Sequence, residues 1–175
     1  LVSLHTPYVS VGDYSGLGDL QLIGKYQFYR KDQMGKTLRM VVKAKETLPT
    51  GEPSAEIEFS SGEFQTYKGL VVGYENIHFG ISNELGYNYI PNLEMDELRY
   101  RLGFGLPILK PVYPVKQVNI YFEYASNWFP EIQAYQLLYA QGIQYARKQF
   151  TFELAVQWPL IQTAALIQRE YSLFI

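Results

Sequence analysis

The sequence predicts an all-β chain: a transmembrane antiparallel up-and-down β-barrel of about ten to twelve strands, in one domain spanning 1–175. Three observations predict it. Apolar and polar residues alternate with period two along most of the chain, which is the strand period. The apolar share is 47%, with 16 Tyr and 10 Phe, yet mean hydropathy is slightly negative, so apolar residues are interleaved and not collected into runs. No run of about 18 apolar residues exists, which removes a transmembrane helix but leaves crossing by strands.

The strands follow in order. Leu1 to Tyr8 alternates loosely. In Gly18 to Arg30, Leu20, Leu22, Gly24, Tyr26 and Phe28 share one face, against Asp19, Gln21, Ile23, Lys25 and Gln27 on the other. In Thr37 to Lys45, Leu38, Met40, Val42 and Ala44 oppose Arg39, Val41, Lys43 and Lys45. Phe64 to Tyr74 is apolar on both faces near Leu70 to Val72, so its facing is open. In Ile77 to Tyr89, Ile77, Phe79, Ile81, Asn83, Leu85, Tyr87 and Tyr89 oppose His78, Gly80, Ser82, Glu84, Gly86 and Asn88. Leu98 to Ile108 sets Leu98, Tyr100, Leu102 and Phe104 against Arg99, Arg101, Gly103 and Gly105. Gln117 to Asn127 sets Val118, Ile120, Phe122 and Tyr124 against Asn119, Glu123 and Asn127. Tyr135 to Ala146 and Phe150 to Trp158 repeat the pattern, and a last strand starts near Glu170.

Connections alternate in length. Short ones follow Arg30, Tyr74, Ile108 and Ala146, with turn-forming Lys31 to Gly35, Glu75-Asn76, Pro111 to Pro114 and Arg147-Lys148. Longer ones follow Lys45, Tyr89, Asn127 and Trp158, giving loops at 46–63, 127–133 and 158–169. Short turns at one end and long loops at the other is the layout of outer-membrane barrels. The chain starts without Met and stops within an alternating run, Tyr171, Leu173, Ile175. This is read as one or both ends lying beyond it.

Alternation alone leaves open which face meets water, since a soluble lipocalin-like barrel alternates too. Three features favour a polar interior. The polar face is rich in Gly and mixed charge. Aromatic residues gather near strand ends on the apolar face, where Tyr26, Phe28, Tyr87, Tyr89, Tyr135, Tyr145 and Trp158 are candidates for the membrane interface. The strands, at about 10–13 residues, match a tilted bilayer crossing. Closure would satisfy every backbone group and let lipid touch the outside.

Candidate lumen-lining residues are Lys25, Arg39, Lys43, Glu84, Arg99, Arg101, Glu123 and Glu153, with Lys45 on the same side and the side of Lys68 undetermined. They could select polar or anionic solutes, or fill a narrow barrel as a salt-bridge ladder, which is favoured. Tyr29 and Tyr121 are expected to be lumenal aromatics. His78, Ser82 and Glu84 share a strand face, but His78 would stand about 13 Å from Ser82 and about 20 Å from Glu84, too far for a catalytic set on one strand. No enzyme activity, catalytic residue, cofactor or metal site is expected. The near-balanced formal charge of −2 gives no sign of a nucleic-acid partner. The chain has no cysteine, which removes disulfides, thiolate metal sites and a Cys nucleophile.

The order Gly16-Leu17-Gly18-Asp19-Leu20, Gly24-Lys25-Tyr26 and Leu48-Pro49-Thr50-Gly51-Glu52 resembles outer-membrane proteins of the meta-pathway of phenol degradation. That resemblance implies a channel-like barrel helping small hydrophobic or aromatic compounds cross. The chain lacks the aromatic C-terminal residue usual for such barrels. From the residues themselves, the glycines, Asp19 and Pro49 read as strand punctuation. The expectation is therefore a bacterial outer-membrane channel or transporter whose partners are the lipid bilayer and a small-molecule solute. Alternatives are a scaffold barrel docking a protein partner, and a soluble lipocalin-like binder. Oligomeric state is left open.

Overall fold

The computed structural model describes residues 1–11, 14–51, 60, 62–91, 95–109, 116–147, 150–164 and 172–174. The expected turn at Pro111 to Pro114, Lys148 and the strand start at Glu170 lie outside them. The strands are β1 (Val2–His5), β2 (Tyr8–Val11), β3 (Tyr14–Leu17), β4 (Leu20–Gln33), β5 (Lys36–Leu48), β6 (Gln65–Asn76), β7 (Gly80–Tyr89), β8 (Glu97–Pro107), β9 (Lys116–Phe129), β10 (Ala134–Arg147), β11 (Phe150–Gln162) and β12 (Ser172–Phe174). The nine strands β4 to β12 form one antiparallel meander in sequence order. With β1 added beside β4, they make a ten-stranded sheet. No helix among the described residues is long and apolar enough to cross a membrane, which says nothing of crossing by strands.

From β4 to β12 each pairing joins sequence neighbours, as an antiparallel meander requires, whereas β1 pairs with β4 across the intervening β2 and β3. Met34-Gly35 turns β4 into β5, with Gly35 at a positive φ that favours glycine. The Asn76 side chain accepts from the backbone N–H groups of His78 and Phe79 and so shapes the next turn. Ile77, His78 and Phe79 therefore belong to this turn and not to β7, contrary to the sequence expectation. The connection after β9 is also shorter than expected. Strand pairing runs on through Phe129↔Ala134, leaving only Pro130 to Gln133 between the strands. The loosely alternating start is not one strand either. It divides into β1 and the separate β2–β3 hairpin, whose base is tied by Gly18 N–H donating to the Pro7 carbonyl.

The sheet is open, which corrects the expectation of a closed barrel: β1 and β12 are its two edges. β1 pairs with β4 only over Gln21 to Gly24, and β12 with β11 only over Ala155 to Gln157. Where β4 and β11 run on toward the short turns, neither has an outer partner among the described residues. Tyr26 there is 68% exposed and Phe150 69%.

Register places the side chains. The polar set of β5, Lys43 among it, faces the same way as Tyr67, Gly69, Val71 and Gly73 of β6. This settles the ambiguous facing of that strand and puts Lys68 with the apolar set, opposite Ala44 and Tyr87. Polar-face residues are the buried ones: Asn88, Asn127 and Gln136 are at most 3% exposed, and Tyr67 is 2% exposed. Leu85, Tyr89 and Ile143 on the apolar face are all above 45%. A globular sheet would bury the opposite face.

Candidate functional site

The eight residues expected to line a lumen share the polar face of the sheet. They do not form one ladder. Lys43 Nζ sits 2.9 Å from Glu84 Oε1, which is the kind of bridge expected. Arg39 makes only a 3.8 Å, exposed contact with Glu75, and such contacts contribute little. Arg99 pairs with Glu97 on its own strand. Arg101 instead starts a polar chain across the sheet. It donates to Asn127 Oδ1 at 2.8 Å, Asn127 donates to Gln136 Oε1 at 3.0 Å, and Gln136 to Gln162 Oε1 at 3.2 Å. Asn127 and Gln136 are buried amides, so each bond offsets a desolvation cost of about 1–3 kcal/mol. Glu153 accepts from Gln144 at 3.2 Å. Lys25 and Glu123 have no side-chain ion pair among the described residues.

Tyr67 lies at the centre of this face. Its hydroxyl donates to Glu84, and Lys43 and Arg99 each approach its ring to 5.4 Å, within cation–π range. The ring lies flat because two glycines make room. A Cβ at Gly86 would meet the Tyr67 Oη at 2.1 Å and one at Gly69 would meet it at 2.7 Å. The sequence marks Gly86 as polar-face but gives no sign of the ring filling it, because the ring arrives from another strand.

Burial is deepest toward the longer loops, where Thr47, Asn88, Glu97, Asn127 and Gln136 pack. Below them lie two cavities on the same face, of about 370 Å³ and 390 Å³, which share Ser82, Gly103 and Glu123 along their walls. Tyr121 borders the second and donates to Gln144 at 2.8 Å. Tyr29 does not join it. A bulge at Phe28 shifts the register, so Tyr29 pairs with Met40 on the apolar face. Ser82 and Glu84 do share the polar face, but His78 sits exposed in the preceding turn.

Six of the interface candidates, Tyr26, Tyr87, Tyr89, Tyr135, Tyr145 and Trp158, fall on the apolar face by register, and Phe28 falls at the bulge. Tyr139 joins Tyr124 and Trp158 in a ring cluster with centroids 5.1 Å and 5.0 Å apart. At the polar turn end of β4, Arg30 pairs with the exposed Asp32 carboxylate at 2.7 Å and the Thr37 hydroxyl donates to it.

The two short motifs in the resemblance meet in space. Gly51 N–H and Ser60 Oγ donate to Asp19 Oδ1, and Leu20 N–H donates to Thr50 Oγ1 at 3.0 Å. Together these bonds fasten the long loop, at Thr50 and Gly51 and again at Ser60, to the start of β4. No protein-family model matches the chain, and no curated protein matches it either.

Proposed function

We propose that this chain forms the wall of a bacterial outer-membrane β-barrel through which small molecules cross passively. The observation that carries the reading is the inverted burial: polar side chains are enclosed while Leu, Ile and aromatic side chains stand exposed on the other face. Water is a poor solvent for that outer face and lipid a good one. The direction of the edge strands agrees with closure. β1 is antiparallel to β4, and eight further antiparallel steps reach β12, so β1 and β12 run in opposite directions. The phenol meta-pathway resemblance belongs to the same proposal and would make the solutes hydrophobic or aromatic. A lipocalin-like binder would enclose the apolar face instead.

Passage is by diffusion along the polar face, with no covalent step. The refolded chain in planar bilayers is expected to give discrete conductance steps. A protein with heat-modifiable gel mobility and β-type circular dichroism that conducts nothing would overturn the channel. The amide chain through Asn127 and Gln136 favours one second reading: a barrel filled at its loop end that serves as a scaffold for a protein partner.

A further inference from the structure

The enclosed face is not uniformly polar. Ile23 stands opposite Lys45, and Val41 opposite Val71, on the same side as Lys43. Apolar area held against water costs about 25 cal/mol per Å², so a lining that served only water and inorganic ions would have no use for it. Ile23, Val71 and Tyr67 border the cavity of about 370 Å³ together with Lys45, Arg99 and Arg101. That volume is in the range that holds small ligands.

Its cations are unequally neutralised. Glu84 answers Lys43 and Glu97 answers Arg99. Arg101 bonds only to neutral acceptors, Asn127 Oδ1 and the Tyr100 carbonyl. Lys45 has no ion pair among the described residues. Glu123 is the one further acid in the lining; Arg101 feels it together with Glu97 and Glu84, and Lys45 feels Glu97, so three carboxylates answer the four cations and one positive charge is left over.

We infer that this cavity binds a small organic carboxylate. Its anionic head would lie at Lys45 and Arg101, and its apolar body against Ile23 and Val71. The inference rests on the reading of the polar face as a lumen that solutes reach, and it names their class.

The test is calorimetric titration of benzoate into the refolded chain in zwitterionic detergent at low salt, with protein-free micelles as the blank. Acetate carries the head without the body, and benzylammonium reverses the charge. Benzoate is expected to bind saturably, acetate at least about tenfold more weakly, and benzylammonium not at all. Lys45→Gln should weaken benzoate roughly tenfold, the size of one charge-assisted contact. Val71→Asn should weaken benzoate and leave acetate unchanged. If Lys45→Gln fails to fold, Arg101→Gln takes its place with the same expectation. Equal binding of benzoate and benzylammonium, no binding of benzoate, or indifference to the charge substitution would overturn the site. Because binding and not flux is read, a silent bilayer with intact benzoate binding would refute the channel and leave the site standing.

Discussion

At Tyr67 a single side chain decides what its neighbours can be. Its ring covers Gly69 and Gly86, its hydroxyl holds Glu84, and two cations lie against its faces. Gly86→Ala would drive a methyl into the ring, because the nearest ring carbon is 2.4 Å from the Cβ position. Overpacking of this kind costs about 1–3 kcal/mol. The expected outcome is a loss of that size in urea unfolding, nearly absent when Tyr67→Ala is already present. A double-mutant cycle measures the difference directly. The polar-face glycines were legible in the sequence as small residues at strand period. Their use was not, since sequence spacing shows which face a residue takes and not what crosses it from the next strand.

At the scale of elements, the long strands were legible because burial on one face enforces strict alternation. β10 is the clearest case, with Gln136 and Leu138 buried and Gln141 and Ile143 exposed. What broke alternation was hidden. The bulge at Phe28 adds one residue without changing composition, so strict alternation places Tyr29 on the wrong face. A second register shift opposite Leu137 and Leu138 lies beside Pro159, which does signal a bulge, because proline lacks the donor a ladder needs. The β2–β3 hairpin leaves no trace in the pattern because four-residue strands are too short for a period to emerge. Between elements, Asp19 is the fastener with most at stake. It is 7% exposed and accepts from two donors on the long loop. Asp19→Ala should destabilise the fold by about 1–3 kcal/mol by leaving those donors unanswered. Thermal melting followed by gel mobility would show it, and Lys31→Ala, on the exposed turn end of the same strand, should change little.

For the whole molecule the lesson is the inversion of inside and outside. The candidate lining residues were legible as a set because charge and glycine share a face. Their grouping was not: the Lys43–Glu84 bridge, the Arg101-to-Gln162 chain and the apolar patch at Ile23 and Val71 depend on which strands become neighbours. A surface this apolar should keep the chain from folding in plain buffer and allow it in liposomes. Circular dichroism in the two media checks this. Cooperative folding in buffer as a monomer would return the apolar face to the interior and the binder to first place.

The meander also sets an order in time. Every pairing from β4 to β12 joins neighbours in sequence, so each hairpin can form beside the last, the loop between β5 and β6 being the longest to close. Joining the two edges would be the step of greatest sequence separation, and it would come last. Until then the flanks of β4 and β11 that have no outer partner among the described residues offer unpaired backbone to any other chain in the same state. Seam closure and self-association would then compete, one independent of protein concentration and the other rising with it.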